Sequence, residues 1–234
     1  MIDFHSHILP GVDDGPRSIS ESLAMLRESY RQGVDTMVST SHFYADEEDP
    51  VQFLKRRNAA YQQLREAMMS SAENLPEVIL GAEVLYFPGI SQADAVAQLV
   101  IDGGNSILIE PPMSPWSNSM LDEIAELGEN FHCRPVVAHV DRFMLYLKDN
   151  HLIDRVLERG LLVQVNGAYF LNWKTSRAAN RNLKNGKIHL IGSDCHNMTS
   201  RCQNLGAVYR KLKASRLESE LYTLERNAET LLFP

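Results

Sequence analysis

Cysteine is scarce in this chain: three in 234 residues, Cys133, Cys195 and Cys202, an odd number without a Cys-x-x-Cys pair. That excludes a disulfide framework and a thiolate zinc site, and it points to a reducing compartment, the cytoplasm. No segment reaches the ~18 uninterrupted apolar residues of a membrane span. The opening Met1-Ile2-Asp3-Phe4-His5 also lacks the positive and apolar regions of a secretory leader. Positive charge is in deficit. Thirty Asp+Glu against 23 Lys+Arg give −7, the wrong sign for a footprint on nucleic acid or an anionic membrane. Neither nucleic-acid binding nor membrane insertion is expected. Low-complexity tracts and Pro/Gly/Ser-rich linkers are absent too. With 44% apolar and 23% charged residues, residues 1–234 read as one globular domain.

What is present is a repeated alternation. Seven short apolar runs read as strands: Ile2–Ile8, Thr36–Phe43, Glu77–Val84, Ser106–Pro112, Arg134–Arg142, Leu161–Tyr169 and Ile188–His196. Helical patterns lie between them. Ser18-Ile19-Ser20-Glu21 has capping-box spacing ahead of Leu23, Leu26 and Tyr30, and Gly33 is the stop. Asp49-Pro50 opens a second helix carrying Phe53, Leu54, Tyr61, Leu64 and Met68 on one face. Leu121, Ile124 and Ala125 mark a third, and Leu152 to Leu157 before Gly160 a fourth; Leu205–Leu232 forms one bent or two short helices over the last strand. Alternation of this kind predicts an α/β fold with a parallel sheet, and the regular spacing favours a closed barrel over a doubly wound open sheet.

The chemistry gathers at the strand ends. Strand one finishes in His5-Ser6-His7, strand two in His42, strand three in Glu83, strand four in Glu110, strand five in His139 and strand seven in Asp194-Cys195-His196. In a parallel barrel these ends converge on one face. Residues two apart on a strand share a side, so His5 with His7 and Asp194 with His196 can reach one cavity. Asp14, in the Gly11–Gly15 loop, can join them. Nine imidazoles and carboxylates are more than one divalent ion uses and enough for two or three. Four converging carboxylates would repel one another unless cations compensate them. Each residue alone has a plainer role: a satisfied core histidine, a rim carboxylate, a turn aspartate. Their coincidence on six strand ends is what points to metal.

In order along the chain, Met1–Pro16, Ser41-His42, Gly81-Ala82-Glu83, Ile109-Glu110, Ala138-His139 and Ser193–Asn197 resemble the polymerase-and-histidinol-phosphatase superfamily. Within it, the sequence is most similar to the bacterial CpsB/CapC-type manganese-dependent protein-tyrosine phosphatases. The resemblance implies a distorted (β/α)7 barrel with a trinuclear site at the C-terminal ends of the strands. It implies that His5, His7, Glu83 and Asp194 hold one ion, Glu83, Glu110 and His139 a second, and Asp14, His42 and His196 the third. The three divalent ions would be Mn²⁺, with Fe or Zn as alternatives. Arg142 and Arg201 fall where the family keeps phosphate-binding arginines. The implied substrate is a phosphotyrosine protein, a bacterial tyrosine kinase of capsular or exopolysaccharide synthesis. Three features depart from the family pattern: His139-Val140-Asp141-Arg142 replaces His-Pro-Glu-Arg, Cys202-Gln203 follows Arg201 where prolines are usual, and Tyr44–Asp49 is acidic.

Rival readings of the same residues are a phosphatase of small phosphomonoesters such as histidinol phosphate, a phosphodiesterase, and a metal-stabilised module that binds phosphoprotein without turnover. An amidohydrolase barrel also opens with His-x-His, but would place a lysine where Glu110 stands. Cys195 and Arg201 have the Cys-x5-Arg spacing of thiol phosphatases. The intervening His196-Asn197-Met198-Thr199-Ser200 contains no glycine for a tight phosphate cradle, so the spacing is read as accidental.

Overall fold

The computed structural model describes residues Met1–Pro234. Its elements run β1 (Ile2–Ser6), α1 (Ile19–Arg31), β2 (Thr36–Ser39), β3 (His42–Phe43), α2 (Pro50–Ser70), β4 (Glu77–Leu80), β5 (Glu83–Leu85), β6 (Ser106–Glu110), α3 (Asn118–Phe131), β7 (Arg134–Val137), α4 (Val140–Leu147), α5 (Leu152–Leu157), β8 (Leu162–Asn166), α6 (Gly167–Leu171), α7 (Ser176–Lys184), β9 (Leu190–Gly192), α8 (Leu205–Ala214) and α9 (Glu218–Leu232). Local chemistry sets the helix ends. Ser18 accepts from the Glu21 amide at the start of α1, Asp49 accepts from Gln52 N with Pro50 in the first turn of α2, and Ser117 caps α3 through Met120 N. Gly33 takes φ +89° just beyond α1, a conformation that a side chain would strain. No helix is long and apolar enough to cross a membrane.

Every strand pairing is parallel. One sheet has the order β1-β2-β4 and the other β3-β5-β6-β7-β8-β9. Strands two and three of the sequence reading are each broken, at Thr40-Ser41 and Gly81-Ala82, so β2/β3 and β4/β5 are two strand positions shared between the sheets. The last gap narrows where Asp194 N donates to His5 O at 2.8 Å, His7 N donates to Cys195 O at 2.9 Å, and Ser6 bridges Cys195. The result is a curled parallel sheet of seven strand positions, the distorted barrel expected from the sequence.

Five predicted strands are shorter than expected: Ile2–Ile8 ends at Ser6 and Ser106–Pro112 at Glu110, each two residues early, and the other three stop sooner. Arg134–Arg142 ends at Val137 because His139, at φ +29°, turns the chain into α4, whose buried Val140 and Phe143 have helical spacing. Leu161–Tyr169 stops at Asn166, and Gly167–Leu171 is a helical turn. Ile188–His196 keeps only Leu190–Gly192 as strand. The segment after His196 forms two helices, α8 and α9.

Alternate residues of each strand serve different layers. Ile2, Phe4, Val38, Ile79, Leu108, Val136, Leu162 and Leu190 form one buried cluster with Ala228, Leu231 and Leu232 of α9. Every strand position contributes to it, which identifies the barrel interior. Their in-strand neighbours, such as Met37, Leu80, Ile107, Ile109, Val137, Val163 and Ile191, belong to the larger cluster beneath the helices. Each buried Leu, Ile or Phe contributes about 1.5–3 kcal/mol. Near the N-terminal ends of the strands, the end of α9 packs on Gly104: Asn105 N donates to Leu231 O at 3.0 Å, and a Cβ on Gly104 would lie 2.5 Å from that oxygen.

Candidate metal centre

Continuing each interior row past its apolar residue reaches a polar one of the same parity. Val38 leads to His42, Ile79 to Glu83, Leu108 to Glu110, Leu162 to Gln164 and Asn166, and Leu190 to Asp194. The apolar floor therefore supports a polar layer at the C-terminal ends. Two strands are exceptions: past Val136 of β7 the row reaches only Ala138, and His139 is brought in by the turn at φ +29°, while β1 needs a change of register. Ile2 and Phe4 are interior residues, so strict alternation would aim His5 and His7 outward. Pairing with β2 resolves this: Ile2 faces Thr36 and Asp3 faces Met37, but Ser6 faces Ser39, so one extra residue sits in β1. This bulge turns His5 and His7 inward, where both are fully buried. Gly192 makes room. A Cβ there would lie 2.4 Å from His5 Cβ.

All nine predicted ligand residues come together. His5 Nε2, His7 Nε2 and His42 Nδ1 lie 3.1, 3.2 and 3.1 Å from Glu83 Oε2. His139 Nε2 is 2.8 Å from Glu83 Oε1 and 3.4 Å from Glu110 Oε1. Asp194 Oδ1 is 3.8 Å from His5 Nε2, and Asp14 Oδ1 is 3.0 Å from His196 Nε2. Three groups have donor atoms mutually within 4.8 Å: His7, Asp14, His42 and His196; His5, His7 and Glu83; and His42, Glu83 and Glu110. Compared with the expected sets, His7 joins the Asp14 group, His42 stands in for His139 beside Glu83 and Glu110, and Asp194 lies just outside the His5 group.

Missing hydrogen bonds show that these donors suit a cation. Glu83 Oε2 is buried with three imidazole nitrogens around it, yet it accepts no hydrogen bond; His42 Nδ1, His139 Nδ1 and His196 Nε2 are also unpartnered. Four of the ten buried unpaired side-chain polar atoms thus sit in one place, where leaving each unsatisfied costs about 1–3 kcal/mol. Lone pairs that crowd within hydrogen-bonding distance without a proton between them are arranged as metal ligands are. Imidazole and carboxylate donors without thiolate match borderline and hard divalent ions. Electrostatics agree. Burial would raise the Glu83 carboxyl, but His5, His139 and His7 hold it well below the usual range. Burial and the Glu83 charge push Glu110 up to about 7, the repulsion a cation would relieve.

Several residues the sequence reading passed over orient this layer. Asp13, the loop neighbour of Asp14, accepts from His7 Nδ1 at 2.8 Å and from the His42 and Gly15 amides. Gln164 Oε1 accepts from His5 Nδ1 at 3.3 Å and from His139 N at 2.6 Å. Asn166 Nδ2 donates to Asp194 Oδ2, and the Asp194 carbonyl accepts from His196 Nδ1. His5, His7 and His196 thus spend Nδ1–H on anchors and turn Nε2 to the centre, the arrangement that raises ligand basicity. Asp13 lies one residue from Asp14 and six from His7, and only the fold distinguishes its role. His139 (φ +29°) and Asp194 (φ +55°) sit in strained backbone regions of the kind found at functional sites.

The two arginines flank the mouth. Arg201 donates to Asp194 Oδ1 at 2.8 Å and to Asp14 Oδ2 at 3.2 Å. Its loop is tied by Asn197 Oδ1, which accepts from the amides of Thr199, Ser200 and Arg201. Arg142 lies in the first turn of α4, is 46% exposed, and reaches only to 3.9 Å from Glu110 Oε1. A cleft of about 420 Å³ opens against Asp14 and His196, walled by Arg17, Glu21 and Met198. In a neighbouring hollow that shares Asp14, Tyr44 stacks on His42 with ring centroids 5.4 Å apart, and Glu48 of the acidic stretch pairs with Arg56. Cys195 is 1% exposed, and burial pushes its thiol far up. That is the opposite of an activated thiolate.

Comparison with known proteins agrees with this geometry. The profile described as "Capsular polysaccharide synthesis, CpsB/CapC" matches residues 1–232. Tyrosine-protein phosphatase CpsB of Streptococcus pneumoniae is 31% identical, the match covering 86% of this chain and 85% of that protein. Tyrosine-protein phosphatase YwqE of Bacillus subtilis is 30% identical over 99% of this chain and 91% of its own. A crystal structure from work on YwqE and CpsB, described as unique metal-dependent tyrosine phosphatases, superposes with TM-score 0.86 at 26% identity, covering 99% of this chain and 94% of that one. Strand ends, buried imidazoles and whole-length match lead to one placement: the chain belongs to the CpsB/CapC family of capsular polysaccharide synthesis.

Proposed function

We propose that this chain is a metal-dependent phosphatase that hydrolyses phosphotyrosine in a protein, acting as one domain over residues 1–234. We infer as its partner a bacterial tyrosine kinase of capsule or exopolysaccharide synthesis, met in the cytoplasm. The relatives' activity supports the reaction. The observation that carries the reading is Glu83 Oε2, ringed by three imidazole nitrogens at 3.1–3.2 Å and left without a hydrogen-bond partner.

His5, His7, Glu83 and Asp194 would hold one cation, Glu83, Glu110 and His139 a second, and Asp14, His42 and His196 a third, with Mn²⁺ the favoured ion and Fe or Zn able to substitute. Divalent cations supply Lewis acidity, which acidifies water for attack on phosphorus and neutralises phosphoryl charge. The protein's own contribution is positional. Asp13, Gln164 and the Asp194 carbonyl fix the imidazole tautomers, so that each ring meets the centre with a lone pair. Arg201 offers a planar fork at the mouth, and phosphoryl oxygens can replace the carboxylate oxygens it now binds. Arg142 can close on the phosphoryl group from the α4 side, where charge accumulates in the transition state. A phenolate, with parent pKa ~10, leaves without a strong general acid.

Removal of metal by a chelator should abolish turnover of a phosphotyrosine peptide, and Mn²⁺ should restore it. Full activity in demonstrably metal-free protein would overturn the reading. Faster turnover of histidinol phosphate than of the peptide would move the function to small phosphomonoesters.

A further inference from the structure

The charge of this chain is distributed unevenly. Residues 161–217 contain ten Lys+Arg and a single acidic residue, Asp194, while the remainder carries 13 Lys+Arg and 29 Asp+Glu. Within the basic stretch, Lys187 pairs with Asp154, and Arg201 with Asp14 and Asp194. The other eight have no carboxylate within ion-pair distance. Part of this charge surrounds a concavity lined by Leu171, Trp173, Lys174, Ser176, Arg177 and Lys211, in which residues before and within α7 meet α8. Trp173 is 80% exposed, and Lys174 Nζ stands 5.4 Å from its ring centroid. An exposed indole beside cations without carboxylate partners has the composition of a binding anchor.

The face also begins at the mouth. α6 starts directly after Asn166, whose side chain bonds Asp194, and α8 starts four residues after Arg201. A polypeptide entering the metal centre can continue across it. We propose that this α7–α8 face docks an acidic segment of the substrate protein flanking the phosphotyrosine, with carboxylates on Lys174, Arg177 and Lys211 and an apolar side chain on Trp173. This inference rests on the phosphotyrosine-protein reading above. An anionic membrane would also meet positive charge here, but interfacial binding buries a whole apolar helix face, and this face exposes one large apolar side chain, Trp173. Here the cations surround a hollow of a size to receive a chain.

The test compares two phosphotyrosine peptides of equal length, one with Asp/Glu on both flanks and one with Asn/Gln in their place. In the wild-type Mn²⁺ enzyme, kcat/KM should favour the acidic peptide about tenfold through KM, the scale of a few exposed charge pairs, and the preference should fade as salt rises. In K174E/R177E/K211E the ratio should fall to one or invert. The unphosphorylated acidic peptide should shift Trp fluorescence in the wild type and not in Trp173→Ala. Equal turnover of both peptides by the wild type, with no fluorescence response, overturns the docking face while leaving the phosphatase reading intact. Turnover of neither peptide overturns the phosphotyrosine reading, and the fluorescence titration then decides the docking face alone. Sedimentation with phosphatidylglycerol vesicles that is lost in the triple variant, together with equal peptide turnover, assigns the face to lipid and refutes the proposal.

Discussion

Replacing Gly192 by alanine tests whether the barrel's closing seam sets the geometry of the metal centre. The added methyl would lie 2.4 Å from His5 Cβ and 2.9 Å from His5 N. Carbon atoms in contact sit about 3.5–4.0 Å apart, so β1 and β9 must separate locally by about 1 Å. They are held by Asp194 N to His5 O at 2.8 Å, and the strain falls on the two strands that carry His5, His7 and Asp194. Overpacking of this kind costs about 1–3 kcal/mol of stability. A misplacement of ~1 Å at a catalytic centre can lower turnover by about 10²-fold. The Gly192→Ala protein should therefore fold, with a lowered Tm, but show kcat reduced by about two orders of magnitude and weaker Mn²⁺ binding. The assays are thermal unfolding, phosphotyrosine-peptide kinetics across a Mn²⁺ titration, and metal content per chain. Wild-type kcat and Mn²⁺ affinity in a folded variant would refute the argument that this seam positions His5.

Asp13→Asn should weaken metal binding by about 10–100-fold, because the charge that holds the His7 tautomer is lost; a Mn²⁺ titration with unchanged midpoint would contradict it. Arg142→Ala and Arg201→Ala should each lower turnover by roughly 10²–10³ without loss of bound metal. Near-normal kinetics in both would reduce them to solvated surface charges. Cys195→Ser should keep most phosphatase activity, since the thiol is buried and protonated; a trapped cysteinyl-phosphate would reverse the assignment of the nucleophile to water.

Much of this protein is legible without coordinates. Strand and helix alternation, the caps at Ser18 and Asp49, and the imidazoles and carboxylates at strand ends are local patterns, and the local physics that writes them also forms the elements. The parallel barrel follows, because buried strands joined by helices have few other ways to cover both faces. What stayed hidden depends on pairing between distant segments. Strict alternation from Ile2 and Phe4 would turn His5 and His7 away from the centre, and only the extra residue opposite β2 reverses them. Asp13 and Gln164 look like ordinary turn or strand residues until the fold brings His7 and His5 to them. The shortened fifth strand, with His139 at φ +29°, is likewise a tertiary decision: Val140 and Phe143 gain more by packing as a helix than by extending β7. A side-chain period of two records which residues share a face. Which face becomes the site is decided by register, and register is set by hydrogen bonds to a strand more than thirty residues away.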